Sequence, residues 1–254
     1  MKRVYNDNIS IDHDSLKKFY TKRAVEKVAI DVDAPVVLCA DKDFSKIAEW
    51  TSFEIENRLP LLQLNEESRV LEVGCGTGRI SKFITPVVDT YVGVDYVKEF
   101  IDLIQSRDDI EKKRTTHFIH SSVQDLMNGT TKIPFEGKFN RFIISGGVFM
   151  YINDDEVNNA ISQLVEKLDD ECVIYLSEPI ALHERLTLNK FYSESLESDY
   201  SAIYRTEKEY NEIFDILYKQ GFQLTTSEEF FYEDIKGQKE TKQWMFILKR
   251  NKVV

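Results

Sequence analysis

Apolar residues along the 254-residue chain follow two periods that take turns. Short apolar runs bounded by glycine or polar residues mark strands at 69–73, 90–94, 116–120, 139–145 and 172–177, with a final pair at 222–226 and 242–248. Between them apolar residues recur at helical spacing: Ile80, Phe83 and Ile84; Val97, Phe100, Ile101 and Ile104; Val157, Ile161, Leu164, Val165 and Leu168; Tyr210, Ile213, Phe214 and Leu217, stopping at Gly221. Asn153 with Glu156 and Thr206 with Glu209 have the spacing of capping boxes that open the last two of these helices. Strands alternating with amphipathic helices predict an α/β protein. Ahead of the first strand, 15–24 predicts a helix with Ser15 as N-cap, 34–40 a short extended run, and 44–59 a second helix ending near Pro60. Arg58 is assigned to a solvated face of that helix, with a carboxylate partner as the competing reading. The segment 191–204, rich in Tyr, Ser and Glu without a clean period, reads as an insertion over an active site.

The first strand runs into Gly74-Cys75-Gly76-Thr77-Gly78, and helical spacing resumes at once. Glycine admits positive φ and lets a ligand approach where a Cβ would collide. The second strand ends in Asp95, 21 residues past Gly74, the separation at which a carboxylate accepts hydrogen bonds from a ribose. That combination points to an adenosine ligand. The glycine order is one residue short of the dinucleotide fingerprint, and no Gly-Lys-Ser/Thr follows to grip phosphates.

With Glu72 just ahead of it, the run Leu71-Glu-Val-Gly-Cys-Gly-Thr-Gly78 resembles the first motif of the class I S-adenosylmethionine-dependent methyltransferases. The resemblance implies a Rossmann-like, seven-stranded, mostly parallel sheet with an antiparallel last strand, helices on both faces and an N-terminal helical cap. The cap would span 1–66 and the cofactor domain 67–254, with an insertion near 180–205. It implies S-adenosyl-L-methionine as cofactor and S-adenosyl-L-homocysteine as product. Carried onto this chain, cofactor contacts fall at Glu72, Gly74, Cys75, Gly76, Arg79, Asp95 and Tyr96, and at Ser145 and Gly146 after the fourth strand. Ser122 and Val123 match the family's adenine segment, with Ser122 standing where the family usually has Asp. Tyr20 and Arg23, in a Phe-Tyr-x-x-Arg-like segment, match residues that cover the cofactor. Candidate catalytic groups are Tyr151, which orients an acceptor hydroxyl or acts as a weak base, and Glu178 and His183, either of which takes the acceptor's proton. For Tyr151 and His183 the competing reading is packing or solvent exposure.

Charge narrows the partners. With 44 acidic against 33 basic residues the chain carries −11, which argues against general binding to a phosphate backbone. No apolar run reaches membrane-spanning length, and the first residues lack the apolar core of a signal peptide, so a cytoplasmic location without membrane insertion is expected. Cys39, Cys75 and Cys172 show neither disulfide nor metal-ligand spacing, which fits a reducing compartment and no structural metal. The acceptor is then expected to be a small molecule; no sequence signal sets an oligomeric state. Residues 19–23, 35–39 and 53–60 resemble methyltransferases of bacterial capsule and surface-polysaccharide pathways, which implies O-methylation of a sugar or of a phosphorylated or phosphoramidate-bearing precursor. On that reading Arg23, Tyr204 and Arg205 contact an anionic group. Two other readings stand beside it: methylation of an amine or protein N-terminus, and a non-catalytic sensor of the same cofactor.

Overall fold

The computed structural model describes residues 2–28, 44–193, 198–231 and 240–251. Ten strands, β1 to β10, and seven α-helices, α1 to α7, are named here in chain order. The main sheet is built from β2 (Arg69–Val73), β3 (Thr90–Asp95), β4 (Thr116–His120), β5 (Phe139–Ser145), β6 (Leu168–Ala181), β9 (Gln223–Glu229) and β10 (Thr241–Arg250), in spatial order β4-β3-β2-β5-β6-β10-β9. β10 runs antiparallel to both of its neighbours, and the pairings among β2 to β6 are parallel. This is the Rossmann-like architecture expected from the sequence. The strand order reverses between β2 and β5, so the loops leaving these two strands diverge and open a crevice at their carboxyl ends.

Both faces of the sheet are buried, which is why its central strands read as continuous apolar runs. One face carries Leu71, Val94, Phe142, Ile144 and Leu176 against α6 (Asp154–Lys167) and α7 (Glu207–Tyr218). The other carries Val70, Tyr91, Ile143 and Tyr175 against Leu59, Leu62, Ile80 and Ile84.

Five local expectations change. α1 (His13–Val28) begins before Ser15, because Asp12 takes over the cap: its carboxylate accepts from the Ser15 hydroxyl (2.7 Å) and the Asp14 N–H (3.1 Å). The helix expected over 44–59 keeps α geometry only over Phe44–Phe53 (α2), widens into a π-helical turn at Glu54–Arg58 and tightens into a 3-10 turn at Leu59–Leu62. Pro60 has no N–H to continue the α pattern. Arg58 is not solvated: buried, it donates to the Phe230 and Glu229 carbonyls and to the Glu228 carboxylate (2.5 Å). The insertion is a hairpin, β7 (Leu186–Ser193) with β8 (Ser198–Tyr204), and β1 (Lys2–Tyr5) adds to its free edge as a third strand. β6 extends beyond both ends of its apolar core, from Leu168 to Ala181. The run expected over 34–40, with Cys39, lies outside the described residues. No helix among the described residues is long and apolar enough to cross a membrane.

Candidate active site

The crevice at the switch point is walled by the glycine turn after β2, the ends of β3, β4 and β5, and α1 above them. Gly74 and Gly76 adopt φ of +75° and +56°. A Cβ on Gly74 would stand 2.4 Å from Val148 Cγ2, so only glycine lets the turn approach the loop after β5. A Cβ on Gly76 would meet nothing within 4 Å, because that residue faces the open crevice. The turn is pinned from behind by the Val94 carbonyl, which accepts from the Gly74 N–H (2.7 Å) and the Cys75 N–H (3.1 Å).

Asp95 sits at the rim of this turn. Its carboxylate accepts from the Gly76 N–H and the Val97 N–H, both at 2.9 Å. Burial pushes its pKa up to about 6, opposed by the backbone donors at Val97 and Gly76. Tyr96, Ser121, Ser122, Val123 and Gln124 continue the wall, and Tyr20 and Leu16 of α1 close it from above. The Ser122 hydroxyl caps α5 (Val123–Met127): it accepts from the Asp125 N–H and donates to the Asp125 carboxylate, both at 3.0 Å. That commitment explains a serine in place of the expected acid, and it leaves Gln124 and the backbone to face the crevice. The Cys75 thiol lies in the same wall and is held neutral by burial.

The floor holds two buried carboxylates. Glu72 accepts from Ser81 Oγ (3.2 Å) and from the Tyr91 hydroxyl, and burial raises its pKa to about 7. Glu54, fully buried in the π turn, accepts from Ser145 Oγ (2.5 Å) and Tyr175 Oη (2.8 Å) and pairs with Arg79 Nη2 (2.7 Å). Arg79 also donates to Ser145 Oγ (2.9 Å), and burial, which works against its charge, is outweighed by the Glu54 carboxylate.

One acid–base pair stands at the crevice. His13 lines the crevice, and its Nε2 stands 2.7 Å from Glu156 Oε2. Glu156 also accepts from Gln124 Nε2 (3.1 Å) and from the Asn153 N–H (3.3 Å), and its pKa is lowered: burial would raise it, but the His13 bond leads the opposing terms. An ionised carboxylate only accepts, so an Nε2 bonded to Glu156 carries a proton; the Asn153 amide Nδ2 stands 3.2 Å from the same nitrogen.

Of the residues expected in the site, Tyr20, Glu72, Gly74, Cys75, Gly76, Arg79, Asp95, Tyr96, Ser122, Val123, Ser145, Gly146 and Tyr151 all line one crevice. The Tyr151 phenol is pushed up by burial, then by Tyr204, and bonds the Tyr200 hydroxyl at 3.1 Å; such a group orients a partner but does not take its proton near neutral pH. Five expected residues are not among those lining the crevice, and each needs correction. Glu178 is fully buried and accepts from the backbone N–H groups of Val148, Phe149 and Met150 (2.7, 2.9 and 3.3 Å), so it shapes the loop after β5 and is not a base. His183 is exposed on the connection leaving β6. Arg23 is buried with its guanidinium 5.4 Å from the Phe19 ring. Tyr204 packs with Tyr200, Ala202 and Met150 behind the wall. Arg205, 1% exposed, donates to Asp154 (2.8 Å) and to the carbonyls of Phe149 (2.6 Å) and Ile152 (2.7 Å), so it is turned into the protein interior. His13, Glu156 and Glu54 were not singled out from the sequence. His13 and Glu156 stand 143 positions apart, and only the tertiary fold pairs them.

Residues 70–171 match the family model described as a methyltransferase domain. No curated protein matches the chain. Among solved structures, magnesium protoporphyrin IX methyltransferase from Synechocystis with bound S-adenosylmethionine aligns at TM-score 0.59 and 14% identity, over 96% of this chain and 100% of that one. Phosphoethanolamine N-methyltransferase 1 from Haemonchus contortus, solved with phosphoethanolamine and S-adenosylhomocysteine, aligns at TM-score 0.69 and 15% identity, over 95% of this chain and 49% of that one. An S-adenosylmethionine-dependent methyltransferase from Leishmania major aligns at TM-score 0.60 and 18% identity, over 95% and 88%. At these identities the likeness is one of fold.

Proposed function

We propose that the chain, whose residues 70–171 match a methyltransferase domain, is a class I S-adenosylmethionine-dependent enzyme that moves a methyl group onto a hydroxyl of a small polar acceptor. The crevice fits the cofactor: a side-chain-free turn at Gly76 faces open space, and a buried carboxylate stands beside it at Asp95. In the proposal Asp95 accepts from the ribose hydroxyls, Gly74 and Gly76 admit the adenosine, and Val123 and Gln124 flank its base. The cofactor supplies a methyl group already activated on a sulfonium, so the protein's share is positioning, exclusion of water and removal of the acceptor's proton.

The observation that carries the hydroxyl reading is His13 in the crevice wall, with the Glu156 carboxylate bonded to its Nε2. A neutral alcohol must lose its proton as it is methylated, and a neutral imidazole oriented through Nε2 offers Nδ1 for that task. A phosphorylated or phosphoramidate acceptor has less support, because Arg205 is already held by Asp154 and two carbonyls. A sugar hydroxyl of a surface-polysaccharide precursor is therefore the favoured acceptor within this reading. Formation of S-adenosylhomocysteine with nucleotide-sugars, primary amines and phosphorylated small molecules tests the choice; turnover with amines alone would overturn it.

Two further outcomes are expected. His13→Gln lowers turnover on the responding acceptor by about 10²- to 10⁴-fold with cofactor affinity unchanged, whereas Tyr151→Phe costs far less. Because Asp95 protonates near pH 6 in the free protein, ligand binding must expel that proton below pH 6. Affinity for S-adenosylhomocysteine should be level above about pH 7 and fall by up to about tenfold per pH unit below about pH 6. Isothermal titration across that range gives the slope, and a flat profile contradicts the ribose role of Asp95.

A further inference from the structure

Glu54 is a buried carboxylate that no step above uses. It is fully buried, it belongs to the pre-strand segment and not to the sheet, and it sits in a π-helical turn. Turns of that kind are rare and concentrate at functional sites. An apolar side chain would anchor the same turn to the sheet without the desolvation cost of a carboxylate. What Glu54 does instead is gather three groups from separate elements: Tyr175 of β6, Ser145 at the end of β5, and Arg79 just ahead of α3 (Ser81–Ile84). Arg79 is tied further to Thr51 of α2 (3.3 Å). Two of the gathered groups, Arg79 and Ser145, face the crevice, whereas Glu54 itself is not among the residues lining it. The result is a guanidinium held in one place at the floor of the crevice, its charge balanced from behind by a carboxylate.

Resting on the cofactor reading above, we infer that Glu54 is a positioning residue that presets Arg79 and Ser145 to receive the amino-acid end of the cofactor, making the pre-strand segment part of the cofactor site. A cation balanced by a buried anion suits a zwitterion better than a simple anion: the ligand carboxylate meets Arg79 while the local net charge stays near zero. The Ser145 hydroxyl, already donating to Glu54 and accepting from Arg79, keeps the guanidinium plane from turning away. The site therefore selects ligands that carry the complete amino-acid arm.

Isothermal titration of the full chain with two probes tests this. S-adenosylhomocysteine has the arm; 5′-methylthioadenosine has the same adenosine and sulfur without it. Wild-type protein should prefer S-adenosylhomocysteine. Glu54→Gln puts an amide N–H2 toward Arg79, so affinity for S-adenosylhomocysteine should fall by about tenfold or more while that for 5′-methylthioadenosine changes less than about twofold. Should that variant not fold, the Glu54→Gln/Arg79→Gln double replacement leaves no lone buried charge and should bring the two affinities together. A parallel fall for both probes marks a merely structural role and overturns the inference, as does no change for either. Wild-type protein that binds neither probe overturns the cofactor reading itself, a result distinct from the loss of selectivity.

Discussion

Asp95→Ala is expected to weaken S-adenosylhomocysteine binding by about 10²- to 10⁴-fold, the loss of two hydrogen bonds to a charged acceptor at about 1.5–3 kcal/mol each. The effect should appear in affinity and leave the fold intact. The carboxylate is buried with its pKa raised to about 6, so its removal also relieves the cost of holding an ionised group there. The Gly76 and Val97 N–H groups lose their acceptor, but they border the crevice, where solvent can replace it. Asp95→Asn keeps one acceptor oxygen and should fall between wild type and alanine. Isothermal titration together with thermal denaturation of the three proteins separates the two effects. Equal affinity in all three would remove the ribose from Asp95.

Arg205→Ala produces the largest expected loss of stability. The guanidinium joins the start of α6, through Asp154, to the Phe149 and Ile152 carbonyls of the loop after β5. Removing it leaves Asp154 paired with Arg185, whose Nη2 stands 2.7 Å from Asp154 Oδ2, takes the Arg205 donor from the buried Ile152 carbonyl, and leaves the Phe149 carbonyl with only the Ile152 N–H (3.1 Å). Breaking such a pair costs about 3–5 kcal/mol, which for a chain of this size lowers the melting temperature by roughly 6–20 °C. Scanning calorimetry checks the figure. A variant that melts with wild type but loses acceptor binding would restore the substrate role that the sequence suggested for Arg205.

What the sequence made legible was local. Gly74 and Asp95 are set by backbone requirements within one βαβ unit, and β4 and β5 lie at the boundaries that their apolar runs mark. What it hid depends on contacts between distant segments. Tyr204-Arg205 ahead of a capping box looks the same whether the arginine reaches a substrate or folds inward onto Asp154. The two-residue alternation of Tyr200, Ala202 and Tyr204 is a strand signal lost among polar neighbours, and β1, which pairs Lys2 with the distant Asn189 of β7, has too few residues to show a period. Nothing in the apolar period of 44–59 marks Glu54 as buried; it lies in the π turn that the structure shows at Glu54–Arg58. Glu178, at the end of an apolar strand, reads from sequence as a carboxylate facing the crevice; its oxygens turn to three backbone amides instead.

A crystal structure of the chain grown with S-adenosylhomocysteine tests the central claim most directly. The account predicts the ribose hydroxyls within hydrogen-bond distance of the Asp95 carboxylate and the adenosine laid over Gly74 and Gly76. Density for the ligand elsewhere, or Asp95 turned from it and still bound to the Gly76 and Val97 amides alone, would contradict it.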